Sequence, residues 1–113
     1  MLQENPQINI LVTFNEWTSL GVGYAVQELN LAEETRVVAF DSNVISVGML
    51  ETGEVDALIV QNPYAMGYLG VEYAWMLVNG EQIKESNIDT TTTVITKENM
   101  FEPENQKVLF PFD

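Results

Sequence analysis

Six side chains carry the polar chemistry that a small-molecule site would use: Asn15, Glu16 and Trp17 in FNEW, Asp41 and Asn43 in FDSN, and Gln61 in IVQNP. Amides both donate and accept hydrogen bonds, and carboxylates accept them. No Lys or Arg interrupts these three stretches. Such a set suits a neutral ligand with many hydroxyl groups, whose O–H donors meet the carboxylates and whose oxygens meet the amide N–H groups. A phosphate or nucleotide would ask instead for basic residues or a glycine-rich loop. Trp17 adds an aromatic face that could stack on a ring, and its spacing also fits a packed helix residue. Asn and Asp at strand ends also cap helices and turns, so each residue taken singly has a structural reading beside the binding one.

The rest of the composition narrows the chemistry. With 113 residues, 46% of them hydrophobic, there is material for one core and too little length for two full domains. Four Lys plus Arg against seventeen Asp plus Glu give a formal net charge of -13. That charge repels phosphate backbones and anionic lipid, so no nucleic acid partner is expected. Cys and His are both absent, which removes disulfides, thiolate nucleophiles, Cys/His zinc sites and any triad or proton shuttle built on imidazole. No cofactor or metal is expected. MLQENPQIN has no basic segment followed by an apolar one, so no signal peptide is expected in this chain. The apolar stretch from Tyr64 to Val78 is shorter than the roughly 18 to 20 residues of a spanning helix, and reads as a buried one.

Two hydrophobic periods alternate along the chain. INILVTF (Ile8 to Phe14) is a continuous apolar run, as expected for a strand covered on both faces. A helix follows, with Asn15 placed to cap it and Trp17, Leu20, Gly21, Tyr24, Ala25 and Leu29 at helical spacing. RVVAF (Arg36 to Phe40) is a second strand, and Asn43 to Glu51 a second helix with Val44, Val47 and Leu50 on one face. Gly53 turns the chain into a third strand, Ala57 to Gln61, and Pro63 to Asn79 is a third helix, opened by a proline and closed at Asn79-Gly80. TTTTVIT (Thr90 to Thr96) is a fourth strand, and the short, proline-broken LFPF near the end is left unassigned. This alternation predicts an α/β sheet with parallel strands and right-handed crossovers. Ligands of such sheets lie beyond the carboxyl ends of the strands, which here are Asn15-Glu16, Asp41-Ser42-Asn43 and Gln61-Asn62.

TFNEWTSLGVGYAVQEL, VVAFDSN, GEVDALIVQNPYAMGYLGVEYAWMLVNGE and TTTTVITKEN, in this order and at these spacings, resemble the carboxyl-terminal half of the type I periplasmic sugar-binding proteins. That superfamily also includes the effector domains of lactose-repressor-like transcription regulators. The resemblance runs from about Ile8 to Asn99, and Gln-Asn-Pro-Tyr-x-Met-Gly is its most specific part. It implies a Rossmann-like three-layer sandwich with a mainly parallel sheet, present here as a partial lobe. Residues 1–61 would be strands and helices of the ligand-binding lobe, residues 62–83 a helix that packs on the other lobe in relatives, and residues 84–113 a return strand and carboxyl-terminal segment. In relatives, the residues matching Asn15, Asp41 and Gln61 contact the sugar, and Gln61 matches an interlobe crossing. Ala39 stands where a glycine is usual, and Glu16 where many relatives carry aspartate. Glu16, Trp17 and Asn43 are further candidates at the same strand ends.

Four functions compete. The first is the solute-binding module of a bacterial sugar ABC importer, which captures a monosaccharide non-covalently and, in the full-length extracytoplasmic parent, delivers it to membrane permease subunits. QNPYAMG and the VLFPF ending resemble that group more than the second, the effector domain of a repressor. The third is an enzyme using Glu16 and Asp41 as a glycosidase carboxylate pair, a role without precedent in the family. The fourth is assembly through the third helix, which is apolar nearly all round (Met66, Leu69, Val71, Trp75, Met76, Leu77). A fragment that lacks the partner lobe would expose that helix, and a second copy of the chain could then cover it as a homo-oligomer.

Overall fold

The computed structural model describes residues 1–85 and 87–111. They divide into two compact units, one of Met1–Val60 with Thr93–Asp113 and one of Gln61–Thr92. The first unit runs β1 (Ile10–Val12), α1 (Glu16–Glu28), β2 (Arg36–Phe40), α2 (Val44–Thr52) and β3 (Ala57–Val60), then β4 (Thr93–Thr96) and α4 (Pro103–Leu109), with α3 (Pro63–Val78) in the second. The sheet order is β1-β2-β3-β4.

β1, β2 and β3 are parallel and β4 is antiparallel to β3, in agreement with the mainly parallel sheet expected from the sequence. Val60 pairs with Thr93, so the chain leaves and re-enters this unit at partnered residues instead of crossing to the far end of the sheet. The strands are also shorter than the apolar runs that encode them. β1 is an edge strand whose ladder lasts only from Ile10↔Arg36 to Val12↔Val38. It is not covered on both faces, since Leu11 is buried while Ile10 and Val12 are 63% and 51% exposed. β4 starts at Thr93 because β3 offers it partners only from Val60 back to Ala57.

Alternate residues of the sheet, Leu11, Val37, Ala39, Leu58, Val60 and Ile95, form one cluster with Val26 of α1, Val47, Met49 and Leu50 of α2, and Leu109 of α4. α1 does not pack through the large apolar residues that its spacing singles out. Its buried residues are Ser19, Gly23 and Val26, while Trp17 and Tyr24 are exposed. Small side chains let the helix approach its neighbours closely: a Cβ at Gly23 would lie 2.3 Å from Met49 Sδ. α2 buries Ser46, Val47, Met49 and Leu50 and leaves the expected Val44 exposed.

α4 was not legible in the sequence. Pro103 opens it, and side-chain amides tie it back to the turn after β4, Asn105 Nδ2 donating to the Asn99 carbonyl at 2.9 Å and Gln106 Nε2 to that of Met100 at 2.6 Å. Phe112 of the LFPF run lies outside the described residues.

In the second unit, Asn62 caps α3 by accepting from the Ala65 N–H at 2.9 Å, with Pro63 in the first turn. Tyr64 and Tyr68, one turn apart, stack with centroids 6.5 Å apart. None of the residues of α3 is buried, which corrects the expectation of a buried helix. Among its described residues the unit holds no strand and no other helix, so it has no second layer of its own in which α3 could bury a face. No helix among the described residues is long and apolar enough to cross a membrane.

Gly23→Ala should destabilise the first unit by about 1–3 kcal/mol even though alanine favours helix by roughly 1 kcal/mol. Urea denaturation of Gly23→Ala, Met49→Ala and the double variant should show a coupling of about 0.5–3 kcal/mol between the two sites.

Candidate ligand site at the ends of β1 and β2

α1 and α2 begin side by side on the carboxyl side of the parallel strands. Asn15 has extended backbone (φ -162), and its Oδ1 accepts from the Thr18 N–H at 2.9 Å and the Thr18 hydroxyl at 3.0 Å. The cap thus takes up Oδ1, and what Asn15 can offer a ligand is its Nδ2 donors. Asn43 caps α2 in the same way, its Oδ1 accepting from Ile45 N–H and Ser46 N–H, each at 2.9 Å. The Ser46 hydroxyl accepts from the Asn43 N–H and completes a capping box. Asn43 Nδ2 donates to Glu16 Oε1 at 2.7 Å, which ties the first turns of the two helices together. Both ends of the Asn43 amide are therefore engaged, and its contribution is to hold Glu16.

Asp41 follows the last residue of β2. Its backbone is left-handed (φ 66), a conformation that Asp tolerates better than most residues, and its N–H donates to the Ile59 carbonyl at 3.0 Å. Trp17 is 80% exposed, so the reading of it as a packed helix residue does not hold. Phe14, which sequence reasoning passed over, is also exposed, and its ring meets that of Phe40 at a centroid distance of 6.3 Å. The basic residue of the sheet is at the other end of β2, where Arg36 Nη1 pairs with Asp56 Oδ1 at 2.9 Å and Asp56 Oδ2 accepts from the Val37 N–H.

Gln61 belongs to the second unit. There it lines a cavity of about 700 Å³ with Met66, Leu69, Tyr73, Glu85 and Thr90 among its walls. Among the described residues, no group of three or more His, Cys, Asp or Glu side chains is placed to hold a metal ion.

Two residues that sequence reasoning missed underlie this geometry. Thr13 and Ser19 are buried, and their hydroxyls lie 2.7 Å apart. Ser19 Oγ lies 2.8 Å from the carbonyls of both Asn15 and Phe40, which share its one proton, and the Phe40 N–H is shared between Ser19 Oγ at 3.1 Å and Thr13 Oγ1 at 3.2 Å. The available signal was a serine at helical spacing with Gly23 and Val26 on the inner face of α1.

The chain belongs to the periplasmic binding protein domain family, whose model matches residues 1–82. Among solved structures, it is similar to a carbohydrate transporter solute binding protein from Agrobacterium radiobacter in complex with D-arabinose, with 35% identity and a TM-score of 0.88. It is also similar to an ABC transporter solute binding protein from Agrobacterium vitis bound with α-D-tagatopyranose, with 31% identity and a TM-score of 0.88. Each match covers 96% of this chain, which spans 36% of the length of either protein. The D-allose-binding periplasmic protein of Escherichia coli is 29% identical over 82 residues, 73% of this chain and 25% of that protein.

Asn43→Asp retains the cap but sets a second carboxylate against Glu16. It should cost roughly 0.5–1 kcal/mol of stability at low ionic strength, and the loss should shrink in about 1 M salt. Thermal unfolding at the two salt concentrations checks both statements.

Proposed function

We propose that the chain is part of the solute-binding module of a bacterial sugar ABC importer, and that the ends of β1 and β2 bind a monosaccharide non-covalently. The observation that carries this reading is the set of side chains at those ends: Asn15, Glu16 and Asp41, with Arg36 held in its ion pair at the far end of β2. Sugar hydroxyls can donate to the carboxylates of Asp41 and Glu16 and accept from Asn15 Nδ2. The exposed ring of Trp17 is available to stack on a sugar face. The sugar-bound relatives support the same chemistry, and their description as transport proteins favours an importer over a regulator. Capture and release need no covalent step, so no catalytic residue is assigned. In the longer parent, delivery would be to membrane permease subunits on the extracytoplasmic side, the D-allose relative being periplasmic.

A thermal-shift titration of the chain with D-arabinose, D-tagatose, D-fucose and D-allose tests the reading. A sugar present at about one hundred times its Kd should add roughly 2.7 kcal/mol of stability. Asp41→Asn keeps a residue that tolerates the left-handed backbone and removes the charge. It should weaken binding by about 1.5–3 kcal/mol in calorimetry, and an unchanged Kd would take Asp41 out of the site.

A further inference from the structure

We propose that Ser19 is a positioning residue of this site, its hydroxyl fixing the Asn15 cap and the Asp41 turn relative to each other. The inference rests on reading the two strand ends as the sugar site. β1 ends at Val12 while β2 continues to Phe40. The last backbone bond between them runs from the Thr13 N–H to the Val38 carbonyl at 3.0 Å. Two residues farther on, the N–H and C=O of Phe40 have no β1 backbone to meet. Ser19 takes that place, accepting from the N–H and donating to the C=O of the same residue, as a neighbouring strand would. The same hydroxyl lies 2.8 Å from the carbonyl of Asn15, so that its one proton is shared between the two carbonyls.

One buried oxygen, on a residue 1% exposed, thus joins the peptide that carries Asn15 to the peptide that precedes Asp41. Asp41 is pinned on the other side by its bond to Ile59. Thr13, just after β1, supports the joint through the Ser19 hydroxyl and the Phe40 N–H but does not bond the Asn15 carbonyl. A sugar that bridges Asn15 and Asp41 needs their separation held, because hydrogen bonds weaken steeply outside their distance and angle range. No other side chain among the described hydrogen bonds contacts both peptides.

Amide hydrogen exchange of the 113-residue chain tests this, comparing wild type with Ser19→Ala. The Thr18 N–H reports the Asn15 cap and the Asp41 N–H reports the turn, while the Val55 N–H, bonded to the Met49 carbonyl, reports the stability of the unit. Loss of the joint should speed exchange at Thr18 and Asp41 by about tenfold relative to Val55. Equal acceleration at all three amides, or none, would overturn the proposal, because a purely structural role moves them together. Should Ser19→Ala not fold, Ser19→Cys, with its weaker hydrogen bonds, should give a smaller rise of the same ratio, and an unchanged ratio overturns the idea equally. Titration with D-arabinose, D-tagatose, D-fucose and D-allose adds the recognition arm: where wild type binds, Ser19→Ala should raise Kd about tenfold, and an unchanged Kd counts against positioning. A wild-type chain that binds none of them counts against the sugar reading instead, and the exchange ratio still decides the role of Ser19.

Discussion

β2 outruns β1, and the peptide groups of Phe40 must be satisfied where no strand remains to satisfy them. Buried backbone groups without partners cost about 1–3 kcal/mol each, so the sequence has to supply side chains at that point. It supplies the hydroxyls of Thr13 and Ser19. Much of the local architecture follows from the second of these. Ser19 sits in the second turn of α1, so α1 must begin immediately after β1 and lie against β2, which places its cap at Asn15. A helix held that close needs small residues along its inner face, and Gly23 against Met49 is the next contact along it.

The same constraint helps to order the polar groups at the strand ends. Glu16 lies in the first turn of α1, where the helix dipole favours negative charge, and Asn43 donates to it from the start of α2. Asp41 is held through its backbone, between the Phe40 peptide joined to Ser19 and the Ile59 carbonyl. Helix termini and backbone bonds thus fix these groups, and Arg36 is engaged at the opposite end of β2 with Asp56.

Much of the fold was legible because it is written in period and caps. The apolar runs at Ile10–Val12, Arg36–Phe40 and Ala57–Val60, the caps Asn15 and Asn43 and the proline of α3 all stand where sequence rules place them. The inner face of α1 was not legible, because hydrophobic spacing gives weight to Trp17, Leu20 and Tyr24 whereas the contact is made by Ser19, Gly23 and Val26. The direction of β4 was not legible either, because a β-branched run is the same read either way and only its pairing with β3 sets the sense. The candidate residues at the strand ends could be picked by type and position. That Asn43 is occupied at both ends of its amide could not, since the bond to Glu16 joins residues far apart in the chain.

The electrostatics of the two strand ends also bear on what they can hold. A carboxylate accepts hydrogen bonds and cannot donate them, so Glu16 and Asp41 offer acceptors only, and Asn15, with its Oδ1 taken by the cap, offers donors. A neutral polyol, the ligand proposed for this site, would bring O–H groups able to donate to the first two and accept from the third. An anionic ligand would add like charge to a chain already at -13, with the guanidinium of Arg36 engaged elsewhere. Like charges brought together away from bulk water repel more strongly than at an exposed surface. Under the proposed sugar reading, engagement of Arg36 with Asp56 at the start of β2 favours a neutral hydroxyl ligand over an anion at the opposite end of that strand.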